Sequence, residues 1–315
     1  MKEKIELYKM RTFTEMLSDT FLFVRQNFKP FFKGLFFITS PALLLTVIAG
    51  FFFWNGYRSM FHNLEYGQVG TALPMEMFIW MLPMMLSVLV VSTLIMDVTF
   101  SYIKLYRQDK DSAIPVSMLW QECKKHFWKL IGAQFTIVMI VVVLMFLFVL
   151  LGRLMTGGNV FIMVMFLLFL LFLLSILGMF FGVKLIFYPF FIVVGDSDII
   201  DSFSGSYNFT RGIFWKTFGF LLILGMIVGF ASYIFYIPGY IMVVVSAIMG
   251  ISQHTDNNSF FSLLSSAIMS IGMACAYLLY SVVFIGESIF YFSEIEKEQG
   301  IVANREIDEI GRHDD

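Results

Sequence analysis

The chain has 315 residues, of which 59% are hydrophobic, 18% aromatic and only 14% charged. A soluble domain carries about a quarter charged residues, so a water-soluble globule is excluded, and so is a disordered chain. The formal net charge of −2 gives no global attraction to nucleic acid, and Cys123 and Cys275 have neither metal-type spacing nor the numbers of a disulfide framework.

About 20 mostly apolar residues cross a bilayer as a helix. In chain order such runs fall at 35–54, 75–101, 130–151, 160–183, 218–238 and 260–292, with the fourth extendable to Val194. Pro238-Gly239 predicts a break after the fifth, followed by a short re-entrant or interfacial helix over 240–249. Membrane strands alternate apolar and polar residues, whereas these runs are apolar on every side, so the spans are predicted helices. The first run follows 34 residues rich in charge, and no cleavable signal is expected. With the N-terminus inside, nineteen of the 21 Lys and Arg fall on the inner side and only Arg58 and Arg153 on the outer. That asymmetry predicts a multi-pass membrane protein with both termini cytoplasmic.

A threefold internal repeat is expected over 13–104, 111–194 and 198–292, within a single membrane domain that ends in an acidic tail, 293–315. Each repeat opens with a segment carrying an apolar stripe at helical spacing. The stripes are Leu17, Phe21, Val24, Phe28 and Phe31; Val116, Trp120, Cys123 and Phe127; and Ile200, Phe203, Tyr207, Thr210 and Phe214. Acids stand at the start (Glu15 and Asp19; Asp109 and Asp111; Asp196, Asp198 and Asp201) and bases at the end, which complements the helix dipole. Each segment closes on an aromatic-lysine triplet: Phe31-Phe32-Lys33, Phe127-Trp128-Lys129 and Phe214-Trp215-Lys216. The fold expected is all-α: six transmembrane helices as three hairpins, each led by an amphipathic interfacial helix that turns through a lipid-facing elbow. Bases beside anionic headgroups contribute about 1 kcal/mol each.

Ionisable residues inside spans are costly and so mark candidate sites. Three sit near the inner ends of even-numbered spans: Asp97, Lys184 and Glu287. They are expected to converge, either as a polar site for a cation, a headgroup or a proton, or as a clamp in which Lys184 neutralises an acid. Small residues four apart (Gly178 and Gly182; Gly225 and Gly229; Ser266, Ser270 and Ala274) predict close helix approach. His62, His126, His254 and His313 are scattered, and phosphate-binding, dinucleotide and nucleophile-elbow motifs are missing. The polar loop 253–258 offers no chemistry. Ser206 lies on an amphipathic segment and is expected to face solvent. No catalytic residue, metal ligand or cofactor is expected. The tail from Ser293 carries eight acids and three bases and reads as solvated.

The stretch 182–219 contains Val183-Lys184-Leu185, Tyr188-Pro189, Asp201-Ser202-Phe203, Ser206-Tyr207, Thr210-Arg211-Gly212 and Phe214-Trp215-Lys216. It resembles the membrane domain of bacterial membrane-bound glycerophosphodiester phosphodiesterases and related multi-pass inner-membrane proteins. Tyr291-Phe292-Ser293-Glu294 with Glu298-Gln299-Gly300 resembles the same set. The resemblance implies a helical membrane fold. In those phosphodiesterases the reaction belongs to a separate soluble domain, which this chain is expected to lack, so no catalytic residue carries over. The function expected is a non-enzymatic membrane protein that organises lipids or partner proteins at the cytoplasmic leaflet. Its partners would be membrane phospholipids, other proteins or further copies of itself, and not nucleic acid. The alternative is a transporter or exporter of a small or lipidic solute.

Overall fold

A computed structural model describes residues 4–65, 75–108, 114–155, 159–248 and 260–300. Every regular element among the described residues is an α-helix: α1 (Phe13–Glu65), α2 (Met75–Gln108), α3 (Val116–Met155), α4 (Val160–Leu185), α5 (Tyr188–Val193), α6 (Ile199–Phe209), α7 (Phe214–Ile248) and α8 (Phe260–Gln299). All but α5 and α6 contain a stretch long and apolar enough to cross a membrane, giving 6 candidate spans. The chain is an all-helical protein of multi-pass character.

The helix boundaries depart from the apolar runs in an instructive way. The first predicted interfacial segment and the first span form one helix of 53 residues, with Pro30 and Pro41 inside it. The second segment likewise runs into its span within the 40 residues of α3. Side-chain polarity changes at Lys33 and Lys129, but nothing in the backbone stops the hydrogen-bond ladder there, and breaking that ladder near lipid is expensive. The break expected at Pro238-Gly239 is also absent: α7 passes through Pro238 and continues to Ile248, so 240–248 extends the fifth span. Only the third segment stands apart, as α6, from the helix that follows it. At the other end of α1, Thr12 and Glu15 form a capping box: Glu15 Oε2 accepts from the Thr12 amide at 2.7 Å and Thr12 Oγ1 accepts from the Glu15 amide at 3.4 Å.

The chain divides into two compact units, Met1–Cys123 with Leu221–Asp315, and Lys124–Phe220. This division cuts through α3 and α7 rather than falling between the expected repeats. In the first unit α1, α2 and α8 pack on one another. Ring contacts between Phe23 and Tyr106 (5.0 Å), Phe31 and Tyr102 (5.2 Å) and Phe52 and Trp80 (4.3 Å) show that α1 and α2 run antiparallel. The residues before α1 dock at the same end. Ser293 Oγ accepts from the Arg11 amide at 3.0 Å, Lys297 Nζ donates to the Arg11 carbonyl at 2.6 Å, and Tyr106 Oη donates to the Ile5 carbonyl at 3.2 Å. The Arg11 guanidinium is buried, paired with Asp19 at 2.7 Å and donating to the Leu7, Lys9 and Glu6 carbonyls.

Close helix approach in this unit is set by different glycines from those expected. A Cβ on Gly272 would strike the Phe235 carbonyl oxygen, one on Gly286 the Leu224 side chain, and one on Gly239 would lie 2.8 Å from Met269 Sδ. Ser266 and Ser270 are fully buried on α8, and Gly50 packs onto Ser270 and Met273. A Cβ on Gly225 or Gly229, by contrast, would meet nothing within 4 Å among the described residues beyond its own helix backbone and chain neighbours, and the same holds for Gly178 and Gly182 in the second unit. In that second unit α6 packs on α4 and α5. The apolar windows of the α3 and α4 spans are each 6% buried, against 50% for α8.

Candidate functional site

The second unit is organised around an interruption of helix at 186–187. Pro189 lies in the first turn of α5, where its missing N–H is harmless to α5 but ends the ladder of α4. The freed groups are met from α6. Ser206 Oγ donates to the Lys184 carbonyl at 2.8 Å and accepts from the Phe187 amide at 3.1 Å. Thr210 Oγ1 reaches the same carbonyl at 3.3 Å and the Ser206 carbonyl at 2.9 Å. Ser206 is 0% exposed, which corrects the expectation that it faces solvent: the helical wheel of α6 shows a polar residue, but the broken backbone of α4 draws it inward. Beyond α5, Asp196 adopts a left-handed φ of 53° and turns the chain into α6.

With its carbonyl held this way, the Lys184 side chain lies over two aromatic rings, its Nζ 4.9 Å from the Tyr207 centroid and 5.7 Å from that of Phe214. It is 5% exposed, and among the described residues no carboxylate pairs with it. Within its own unit the Lys184 ammonium is therefore faced by a cage of rings. An open cavity of about 750 Å³ lies here between α4, α6 and the start of α7, bordered by Lys184, Arg211 and Lys216 on its polar side and Ile176, Met179 and Phe180 on its apolar side.

The three aromatic-lysine triplets differ in setting. In the second and third, Trp128 and Trp215 are 76% and 74% exposed, each in edge contact with the preceding phenylalanine, Phe127 or Phe214. Lys129 Nζ lies 2.6 Å from Asp198 Oδ1, and this hydrogen-bonded ammonium lowers the Asp198 carboxyl from its ordinary value. In the first triplet Lys33 is exposed and Phe32 half-buried, but Phe31 is only 1% exposed and stacks edge-on against Tyr102. Phe31 is thus core rather than lipid-facing, because α1 runs straight on and keeps this face against α2.

Asp97 and Glu287 both belong to the first unit and both are 0% exposed, while Lys184 belongs to the second. Ser101 donates to Asp97 Oδ1 at 3.2 Å, but Asp97 Oδ2 and both oxygens of Glu287 have no hydrogen-bond partner among the described residues. Glu287 follows Gly286, where a Cβ would meet Leu224 and Thr20. A buried ion pair that sequence reasoning missed also lies in this unit: Lys104 Nζ is 3.0 Å from Glu122 Oε1. Lys104 follows the second apolar run, among the bases expected on the inner side, and nothing in its spacing points to Glu122. In the second unit, the buried His126 Nε2 is 3.4 Å from Asp196 Oδ1. Asp109, Asp111, the loop 253–258, His254, His313 and the tail from 301 lie outside the described residues, as does the side chain of His62.

Residues 110–292, more than half of the chain, match the family model described as a domain of unknown function, DUF7847. The chain belongs to that family. The matched region contains the whole of the second unit and the 182–219 stretch. Comparison with curated proteins and with solved structures gives no match.

Proposed function

We propose that this DUF7847 member is a non-enzymatic protein of the bacterial inner membrane that gathers anionic lipids or partner proteins at the cytoplasmic leaflet. In this reading both termini are cytoplasmic and the six spans form three hairpins, with the aromatic-lysine triplets at the inner interface. The observation that carries it is the pairing of exposed Trp128 and Trp215 with adjoining lysines. Tryptophan concentrates at the level of the headgroups, and lysine beside it meets their phosphates. The segregation of nineteen of 21 bases to one side supports the same orientation. The likeness of 182–219 to the membrane domain of phosphodiesterases that keep their chemistry elsewhere fits a non-catalytic role.

The test is lipid selectivity of the full chain in vesicles of phosphatidylglycerol and phosphatidylcholine, read from spin-labelled lipids slowed at the protein surface. The expected result is a preference for phosphatidylglycerol that fades as salt rises, because exposed charges are screened over about 10 Å at 0.1 M. Lys33→Glu with Lys129→Glu should weaken it further. Selectivity that ignores both salt and charge reversal would refute the reading.

A second reading, transport of a small or lipidic solute, has one specific support. Glu287 is fully buried with neither oxygen bonded among the described residues, and an intramembrane carboxylate of that kind is expensive to keep without a use. Solute flux lost in Glu287→Gln, with lipid selectivity unchanged, would favour it.

A further inference from the structure

We infer that the cavity between α4, α6 and the start of α7 is a binding site for one anionic phospholipid, its phosphodiester held by Lys184, Arg211 and Lys216 and an acyl chain laid along Ile176, Met179 and Phe180. The inference deepens the reading above and rests on it only in placing anionic lipid beside this end of α4.

Charge is the first reason. Three bases and no acid border the cavity. Lys184 is the decisive one: it is buried to all but 5%, lines the cavity, and has two aromatic faces but no counter-ion among the described residues. Rings orient an ammonium but do not neutralise it, and a desolvated charge calls for an opposite charge. A lipid phosphodiester supplies one. Arg211 stands at the mouth with its side chain exposed and unpaired among the described residues, and a guanidinium presents a donor fork matched to phosphate oxygens.

The chemistry of the walls is the second reason. From Lys184 back along α4, Phe180, Met179 and Ile176 take the lining one and two turns deeper into the apolar span, and they are 39%, 44% and 45% exposed. The lining therefore changes from cationic to hydrocarbon over the length at which a phospholipid changes from phosphate to acyl chain. A soluble phosphate would use only the cationic end. The exposed Trp215 at the rim suits the interfacial level at which that change takes place. A volume of about 750 Å³ exceeds what a headgroup alone needs and lies within the usual range of ligand sites. The Ser206 and Thr210 bonds to the Lys184 carbonyl fix the residue that bears the central charge, so the site is held by backbone rather than by a mobile loop.

The experiment is native mass spectrometry of the full chain released from nanodiscs of equal phosphatidylglycerol and phosphatidylcholine, counting lipid retained through a delipidating detergent. One phosphatidylglycerol should survive on the unaltered chain. Arg211→Gln and Lys184→Gln should each lower its retention about tenfold, the scale of one charge-assisted contact to phosphate. Lys33→Glu, remote in sequence, should leave that single lipid in place while reducing the bulk preference, so this site and the broader reading fail separately. Arg211 is an exposed side chain, so its substitution tests the site even if Lys184→Gln misfolds; a melting curve on each variant shows which case holds. Equal retention of phosphatidylcholine, or full retention in the doubly substituted chain, overturns the proposal. Displacement of the retained lipid by millimolar inorganic phosphate also overturns it, in favour of a soluble anion.

Discussion

Ser206→Ala probes the interruption on which the second unit depends. The hydroxyl it removes is fully buried, donates to the Lys184 carbonyl at 2.8 Å and accepts from the Phe187 amide at 3.1 Å. Taking away one partner of a buried hydrogen bond costs about 1–3 kcal/mol, more than the bond's net worth, because the other partner stays desolvated. Thr210 Oγ1 still reaches the Lys184 carbonyl, but at 3.3 Å, so it compensates in part. A loss of about 2 kcal/mol is expected for Ser206→Ala and about 1 kcal/mol or less for Thr210→Val, which keeps the side-chain shape. The double variant should lose more than the two losses added, since each single variant leaves the other hydroxyl on the shared carbonyl and neighbours sharing a partner are not additive. Reversible unfolding in detergent, followed by tryptophan fluorescence, measures all three. A solvent-facing serine would change stability by less than about 0.5 kcal/mol on substitution. A Ser206→Ala chain within that margin of the unaltered protein would refute the assignment.

Glycine substitutions separate the two sets of small residues. Gly272→Ala and Gly286→Ala should destabilise by about 1–3 kcal/mol through overpacking, because their Cβ positions are occupied by Phe235 and Leu224. Gly225→Ala, with open space around it, should be neutral or stabilising by up to about 1 kcal/mol on helix propensity alone; thermal melts of the three rank them. Asp198→Asn should cost a little stability at neutral pH. Asp198 is lowered from its ordinary 3.8 by Lys129, so the Asp198 contribution is full above that value and disappears as pH falls through the lowered folded value. Equal pH dependence of unfolding in the two chains between neutral pH and about pH 3 would contradict it, and about 0.5 M salt should shrink the difference, as for any exposed pair. Cysteines introduced as Lys33→Cys, Lys129→Cys and Lys216→Cys should label from one side of sealed vesicles, and Arg153→Cys from the other.

What could be read in the sequence and what could not divides along a physical line. Length and uninterrupted apolarity set the six candidate spans, because a bilayer imposes a fixed thickness and demands a saturated backbone. Helix ends were harder to place, since expectation followed side-chain polarity while the structure follows backbone chemistry. At Lys33 and Lys129 the side chains turn from amphipathic to apolar and the helix takes no notice. Pro41, Pro83 and Pro238 sit inside helices as well. The helix does stop before Pro189, and the Ser206 and Thr210 hydroxyls take the Lys184 carbonyl at its end. The Ser206 bond joins residues 22 apart, a pairing that local pattern does not reveal. The same reasoning accounts for the candidate site. Lys184 was visible as a charge in a span, but its surroundings depend on Ser206, Thr210 and Tyr207 being brought round by the turn at Gly195-Asp196. The four-residue glycine pairs failed for the complementary reason: spacing shows that two residues share a face, not that another backbone lies against it. Gly272 and Gly286 meet a neighbour, while Gly225 and Gly229 do not. In a chain this apolar the informative residues are the few whose backbone or charge requires a partner, and Lys184, Asp97 and Glu287 are among them.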